Sequence, residues 1–270
     1  MPRDDGWAKE IERGARGSAQ QLMALLKDID AAIERVVDSL QTGTDGRIKA
    51  GQARNLTRAR KQIIEALAKL GANKVQGMLA DDVVAQAEKI GSLVADDLLG
   101  DNETTFEADA SRKIKAIVSK HNKDVAKIFG DAGRRLQREI NAAEVGALDV
   151  EKLKKKLKGQ ARGAMSNAMT VIDTAVSSGA RTAIVETVRD VVGEDGEDVF
   201  VFKYTGPRDK LTRKFCQRHV KRYFSQEYID STTNDNGLPM SSTCGGYNCR
   251  HSLAPALMSE LTPAQRKSVK

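Results

Sequence analysis

Between Trp7 and Val192, apolar residues recur every third or fourth position against Ala, Lys, Glu, Gln and Arg, and the stretch has no proline. That period and composition predict helices, and long ones. Leu26, Ile29, Ile33, Val36 and Leu40 follow at spacings of 3, 4, 3 and 4, the a/d seam of a bundle helix or coiled coil. The turn cluster QTGTDG ends that helix. A second helix is predicted from about Ile48 to Leu70, with GAN at 71–73 as the break. A third runs from about Lys74 to Leu99, with Gly100 as its C-cap. Glu103 or Thr104 opens a fourth, which carries Phe106, Ile114, Ile117, Val125 and Ile128, and Asp149 caps a fifth reaching toward Val192. The basic run KLKKKLKG at 152–159 is expected to be a solvated face, with nucleic-acid contact as the less favoured reading. His121 stands alone on a polar stretch and is expected at the surface. Long helices with few breaks imply an elongated bundle or an array of helical hairpins over residues 1–198, suited to assembly and to self-association.

The pattern changes at GEDGED, 193–198. VFVFKYT, 199–205, is β-branched and aromatic and predicts a strand. After the turn GPRD, Asp209 is expected to cap a helix through about Arg218 that holds Thr212, Arg213, Cys216 and His219. Cys216 and His219, three apart, then share a helix face. YFSQEYIDS predicts a short helix and TTNDNGLPMSST a loop. In CGGYNCRHSLAP, 244–255, the glycines permit a tight turn, and Cys249 and His251 share a face if the chain is extended. Thr262 and Pro263 open a last helix. The expected fold class is therefore mainly α: an elongated N-terminal helical bundle or helical hairpins, then a small α+β Cys/His-containing domain over 199–270.

Composition sharpens that boundary. Residues 199–270 hold 12 of the 44 Lys+Arg and 5 of the 37 Asp+Glu, a net of +7, which leaves residues 1–198 neutral with 32 of each. All three cysteines, all four tyrosines, four of six phenylalanines and four of five prolines lie in the same 72 residues. A surplus of that size argues for contact with a polyanion or an acidic protein surface. Lys210, Lys214, Arg218, Lys221 and Arg222 are the candidate phosphate contacts. No RNP-like aromatic pair or recognition helix is visible, so DNA binding would follow the backbone and not the sequence. No apolar run approaches the roughly 18 residues that span a bilayer. The first residues, MPRDDGWAKEIERG, lack a signal-peptide core, so a cytoplasmic origin is expected.

An odd number of cysteines fits a disulfide framework poorly. Cys216-x2-His219 and Cys244-x4-Cys249-x-His251 together offer five ligands to a metal that needs four, and zinc suits thiolate and imidazole. Three alternatives stay open. One is a metal-free cluster of buried cysteines with His251 hydrogen-bonded. Another is nucleophilic catalysis, with Cys216 or Cys249 activated by His251 or His219 and Asp209 as orienter. The last is a disulfide in an oxidising setting. Tyr247 is expected half-buried with its hydroxyl on backbone, Asn248 closing the turn through its amide, and Arg213 and Arg250 pairing with Asp209 or binding an external phosphate.

YTGPRDKLTRKFCQRH followed by GGYNCRHSLAP resembles the C-terminal domain of phage minor head proteins, the head morphogenesis family typified by the phage Mu F protein. The positions carrying the resemblance are Asp209, Thr212, Arg213, Cys216, Cys249, Arg250 and His251. Only about the last 70 residues are covered. Many members have a histidine before the Cys-Arg pair and a cysteine after it; here the histidine is missing and His251 takes the cysteine's place. The resemblance implies a virion protein in few copies, made in the host cytoplasm and kept inside the head. It implies association with the portal during assembly, with major capsid or scaffolding protein as neighbours, proximity to packaged DNA, an influence on packaging or ejection, and no enzyme activity.

Overall fold

The computed structural model describes residues 4–40, 53–99, 108–146, 149–192 and 199–270. It is mainly helical, with a small antiparallel sheet and a Cys/His cluster toward the C-terminus. Five long helices come first: α1 (Asp4–Asp38), α2 (Ala53–Ala66), α3 (Lys74–Leu99), α4 (Ala108–Gly146) and α5 (Val150–Val192). The third has the predicted bounds. Ile48, Gly100, Glu103, Thr104 and Phe106 lie outside the described residues. Asp149 caps α5 as expected, its Oδ1 accepting from Glu151 N at 2.8 Å and Lys152 N at 3.1 Å.

GAN is not a break. Leu67–Asn73 forms a π-helix that carries α2 into α3. A Cβ on Gly71 would lie 2.4 Å from the Phe129 ring, so the missing side chain lets that ring pack on the helix backbone. The first-helix seam is also shifted: Leu22, Leu25, Ile29, Ile33, Val37 and Leu40 are buried, whereas Leu26 and Val36 are partly exposed. A straight helix turns every 3.6 residues and drifts from a strict 3.5 repeat, so the buried stripe is broader than an a/d seam. The basic run is neutralised by acids: Lys154 meets Asp38 at 2.7 Å, Lys156 meets Glu139 at 2.8 Å, and Lys158 meets Glu34. His121 is buried, not superficial, with Nδ1 3.4 Å from Asp124 Oδ2.

The described residues divide into two compact units. One draws on Gly17–Leu79 and His121–Val171, the other on Met1–Arg16, Ala80–Lys120 and Ile172–Lys270. Residues 172–192 of α5 thus group with the Cys/His region, while the compositional seam at 193–198 lies outside the described residues.

In the second unit, β1 (Phe200–Thr205) is the middle of three antiparallel strands, between β2 (Tyr223–Phe224) and β3 (Ser252–Leu257). The register sets Phe202 opposite Phe224 and Pro255, and Tyr204 opposite Leu253. Phe202, Tyr204, Phe224 and Leu253 join Ile90, Val94, Ile184 and Val188 of the long helices in one core. The sheet alone is too small to bury its aromatic face, and the ends of α3 and α5 supply the missing layer.

Asp209 does not cap a helix. Its Oδ1 accepts from Leu211 N at 2.9 Å and from the Thr212 hydroxyl at 3.0 Å, closing a turn. Arg213 has extended backbone, so α6 begins at Lys214 and ends at His219, leaving Thr212 and Arg213 before it. YFSQEYIDS splits into β2 and α7 (Gln226–Ser231), the latter capped by Ser225. The predicted loop ends in α8 (Met240–Thr243). Thr262 and Gln265 form a reciprocal capping box on α9 (Pro263–Lys267).

Candidate metal centre

The segment 244–251 reverses tightly between α8 and β3. Cys244, Gly246 and Asn248 all adopt positive φ, at 48°, 98° and 51°. This winding turns Cys249 toward α6, where Cys216 waits: the two Sγ atoms are 3.6 Å apart. His251 Nδ1 lies 3.6 Å from Cys249 Sγ. The ligand atoms of Cys216, Cys249 and His251 all fall within 4.8 Å of one another, and the three residues are 1%, 7% and 3% exposed.

The surroundings orient each group. His251 Nε2–H donates to Pro207 O at 2.9 Å, which leaves Nδ1 as the lone-pair nitrogen facing sulfur. Gly245 N–H donates to Cys249 Sγ at 3.2 Å, and the buried Tyr204 hydroxyl donates to Cys216 Sγ at 3.4 Å. These contacts divide the thiols. The hydrogen bond with Cys216 holds Cys249 well below the usual thiol range against its burial, helped by His251 and the Arg181 guanidinium. The same contact pushes Cys216 up, and burial adds to that. Burial pushes Cys244 up to about 12. With their sulfurs 3.6 Å apart, Cys216 and Cys249 titrate as one coupled pair.

The other two predicted ligands stand apart. His219 Nδ1–H donates to Phe215 O at 2.7 Å, its Nε2 faces the Tyr228 hydroxyl at 3.4 Å, and its ring stacks on Phe215 at 4.2 Å. Both nitrogens are thus occupied in an aromatic pocket. Cys244 is buried and falls outside the three-residue group. Burial lowers the His219 pKa, opposed by its bond to Phe215 and reinforced by Arg218, Lys270 and Arg222. The unfolded chain therefore binds this proton more readily. The His219 contribution is complete above about pH 6.5 and is lost as pH falls through that value toward the lower folded pKa. Thermal midpoints at pH 7.5 and 5.5 should differ less in His219→Phe than in the parent; equal differences would contradict this.

Of the motif residues, Asp209 and Arg250 form a two-pronged ion pair at 2.8 and 2.9 Å, and Arg250 holds the Asp209 carboxyl well below the usual carboxylate range. Arg213 pairs differently from expectation, donating to Gly245 O at 3.2 Å and to Tyr247 O. Tyr247 is 39% exposed. Asn248 does not close its turn through its amide; its N–H donates to Thr174 Oγ1 on α5 at 3.2 Å. Lys210, Lys214, Arg218, Lys221 and Arg222 are all exposed, and Arg218 is paired with Asp235 at 3.1 Å.

Sequence reading missed Arg181. This buried residue of α5 donates Nε to His251 O at 2.9 Å and Nη2 to Cys249 O at 2.6 Å, clamping the loop that carries two of the sulfur and nitrogen ligands. Its signal was a lone cation in AVSSGARTAIV, where every other residue is small or apolar. Comparisons with protein-family models, with curated proteins and with solved structures gave no match.

Proposed function

We propose that this chain is a minor head protein of a tailed phage, which associates with the portal during assembly and lies close to packaged DNA. The observation that carries the reading is the convergence of the residues that resemble the head morphogenesis pattern. Asp209 meets Arg250 across 41 positions and Cys216 meets Cys249 across 33, while Arg213 holds the carbonyls of Gly245 and Tyr247. Two stretches that resemble one family pattern thus build one compact place, as a domain signature would. The helical part as a whole, residues 1–198, whose charges balance, suits assembly with portal, scaffolding or capsid protein, or with further copies of the chain. Among the described residues no helix is long and apolar enough to cross a membrane. Burial of both Cys216 and Cys249 favours a structural over a catalytic role for the thiols.

Quantitative mass spectrometry of purified particles and proheads tests this. A few to a few dozen copies per particle, with affinity for the cognate portal, is the expected result. Absence from particles and no portal binding would overturn it. Of the five candidate phosphate contacts, Lys210, Lys214, Lys221 and Arg222 are exposed and have no ion-pair partner among the described acids, whereas Arg218 is paired with Asp235. Engagement of those four by phosphates predicts a slope of log affinity against log salt of about −3 to −4. Alanine at all four should bring the slope toward zero; an unchanged slope would remove this face from the DNA contact. Strong DNA binding by a protein absent from particles would favour the second reading, a non-specific DNA-binding accessory protein built round the Cys/His cluster.

A further inference from the structure

Two thiols and an imidazole packed at 3.6 Å could be no more than a core contact, so the spacing must be weighed with what surrounds it. Tetrahedral zinc, at about 2.3 Å to sulfur and about 2.05 Å to nitrogen, sets its ligands about 3.8 Å (S···S) and about 3.6 Å (S···N) apart. The observed edges lie close to both values. An uncharged core contact would explain the spacing equally well, but not the rest of the arrangement. His251 has its Nε2–H tied to the Pro207 carbonyl, which fixes the ring and points Nδ1 at the sulfurs. That is the outer-shell tether of metal-binding histidines. Cys249 Sγ receives a backbone N–H from Gly245, a contact suited to a sulfur that carries negative charge. Arg181 holds the carbonyls of both Cys249 and His251, so the two ligands on the loop are set by a helix residue and not by the loop alone.

We propose that Cys216, Cys249 and His251 bind one zinc ion, without Cys244 or His219. The site links α6 to the turn before β3 and closes the chain between residues 216 and 249 in a region with a small sheet. Three protein ligands leave one corner of a tetrahedron to a small molecule such as water, and the buried Tyr204 hydroxyl, 3.4 Å from Cys216 Sγ, is a hydrogen-bonding neighbour for it. His219 is excluded because Phe215 O and the Tyr228 hydroxyl engage its two nitrogens. The inference does not depend on the head-protein reading.

The test uses the full chain, made in zinc-supplemented cells, with metal measured by inductively coupled plasma mass spectrometry and the apo form titrated with cobalt(II). The expected result is about one zinc per chain and, with cobalt, the near-ultraviolet charge-transfer band and intense visible bands of tetrahedral thiolate coordination. Cys249→Ser and His251→Ala should each weaken binding by at least about tenfold, while Cys244→Ser and His219→Phe keep it. Should Cys249→Ser fail to fold, the wild-type cobalt spectrum decides alone. A folded wild type with no zinc and no thiolate–cobalt band would overturn the proposal. So would loss of metal in folded Cys244→Ser, or a Cys216–Cys249 disulfide in place of two free thiols.

Discussion

Gly206→Ala should be among the most damaging single changes in the Cys/His region, lowering its stability by on the order of 4 kcal/mol. Two costs add at this position. Its φ of +140° belongs to a region open essentially to glycine alone. A Cβ there would also stand 2.5 Å from His251 Cδ2 and 3.0 Å from His251 Cα. The ring cannot swing aside without giving up its Nε2 bond to Pro207 O, and the backbone atom cannot move without shifting β3. Gly237→Ala supplies the control, since its φ is +70° with nothing within 4 Å of a Cβ. That change should cost only about 1 kcal/mol. Urea unfolding followed by near-ultraviolet tyrosine dichroism is suited to the comparison, because all four tyrosines lie between residues 204 and 247. Equal costs for the two alanines would show that the close approach to His251 carries no weight.

Arg181→Met should cost about 3 kcal/mol and loosen residues 249–251 selectively. Methionine keeps the helix and most of the buried volume but leaves the carbonyls of Cys249 and His251 without their donor. Each buried acceptor left unmade costs roughly 1–3 kcal/mol. Losing the guanidinium also removes a cation that favours the Cys249 thiolate, so the Cys249 thiol should titrate at higher pH in the variant. Faster amide hydrogen exchange in the loop, with the helical unit of Gly17–Leu79 and His121–Val171 unchanged, is the expected pattern. Uniform destabilisation of both units, or none, would count against the clamp. Arg181→Lys should recover only part of the loss, since an ammonium cannot reproduce the planar fork that reaches both carbonyls.

Most of the helical architecture was legible because it depends on local rules. A 3.6-residue apolar period, no proline, and Asp149 before a Val-Glu-Lys-Leu start were enough for α5, whereas the start of α3 at Lys74 was placed by GAN, which lies in a π-helix and is no break. Where local rules failed, a distant partner had intervened. Gly71 suggested a stop, but Phe129 occupies the space its side chain would take. His121 looked superficial among polar neighbours, yet it is buried. Asp209 had the chemistry of a helix cap, but a turn with Thr212 and the guanidinium of Arg250 claim its oxygens.

The candidate centre divides along the same line. Residue type alone determined that Cys216, Cys249 and His251 were candidates, and that the basic, aromatic, cysteine-bearing chemistry gathers after residue 198. Those properties are written in composition and short spacing. Sequence could not choose three candidate ligands from five, because His219 is withdrawn by Phe215 O and the Tyr228 hydroxyl, and Cys244, although buried in the same core, falls outside the three-residue group. Nor could it reveal that Arg181, 68 and 70 positions away from the carbonyls it holds, fixes the loop. Helices follow from contacts three and four residues apart, which a sequence displays directly. A buried cluster depends on which remote groups satisfy each donor and acceptor, and only the folded chain brings those groups together.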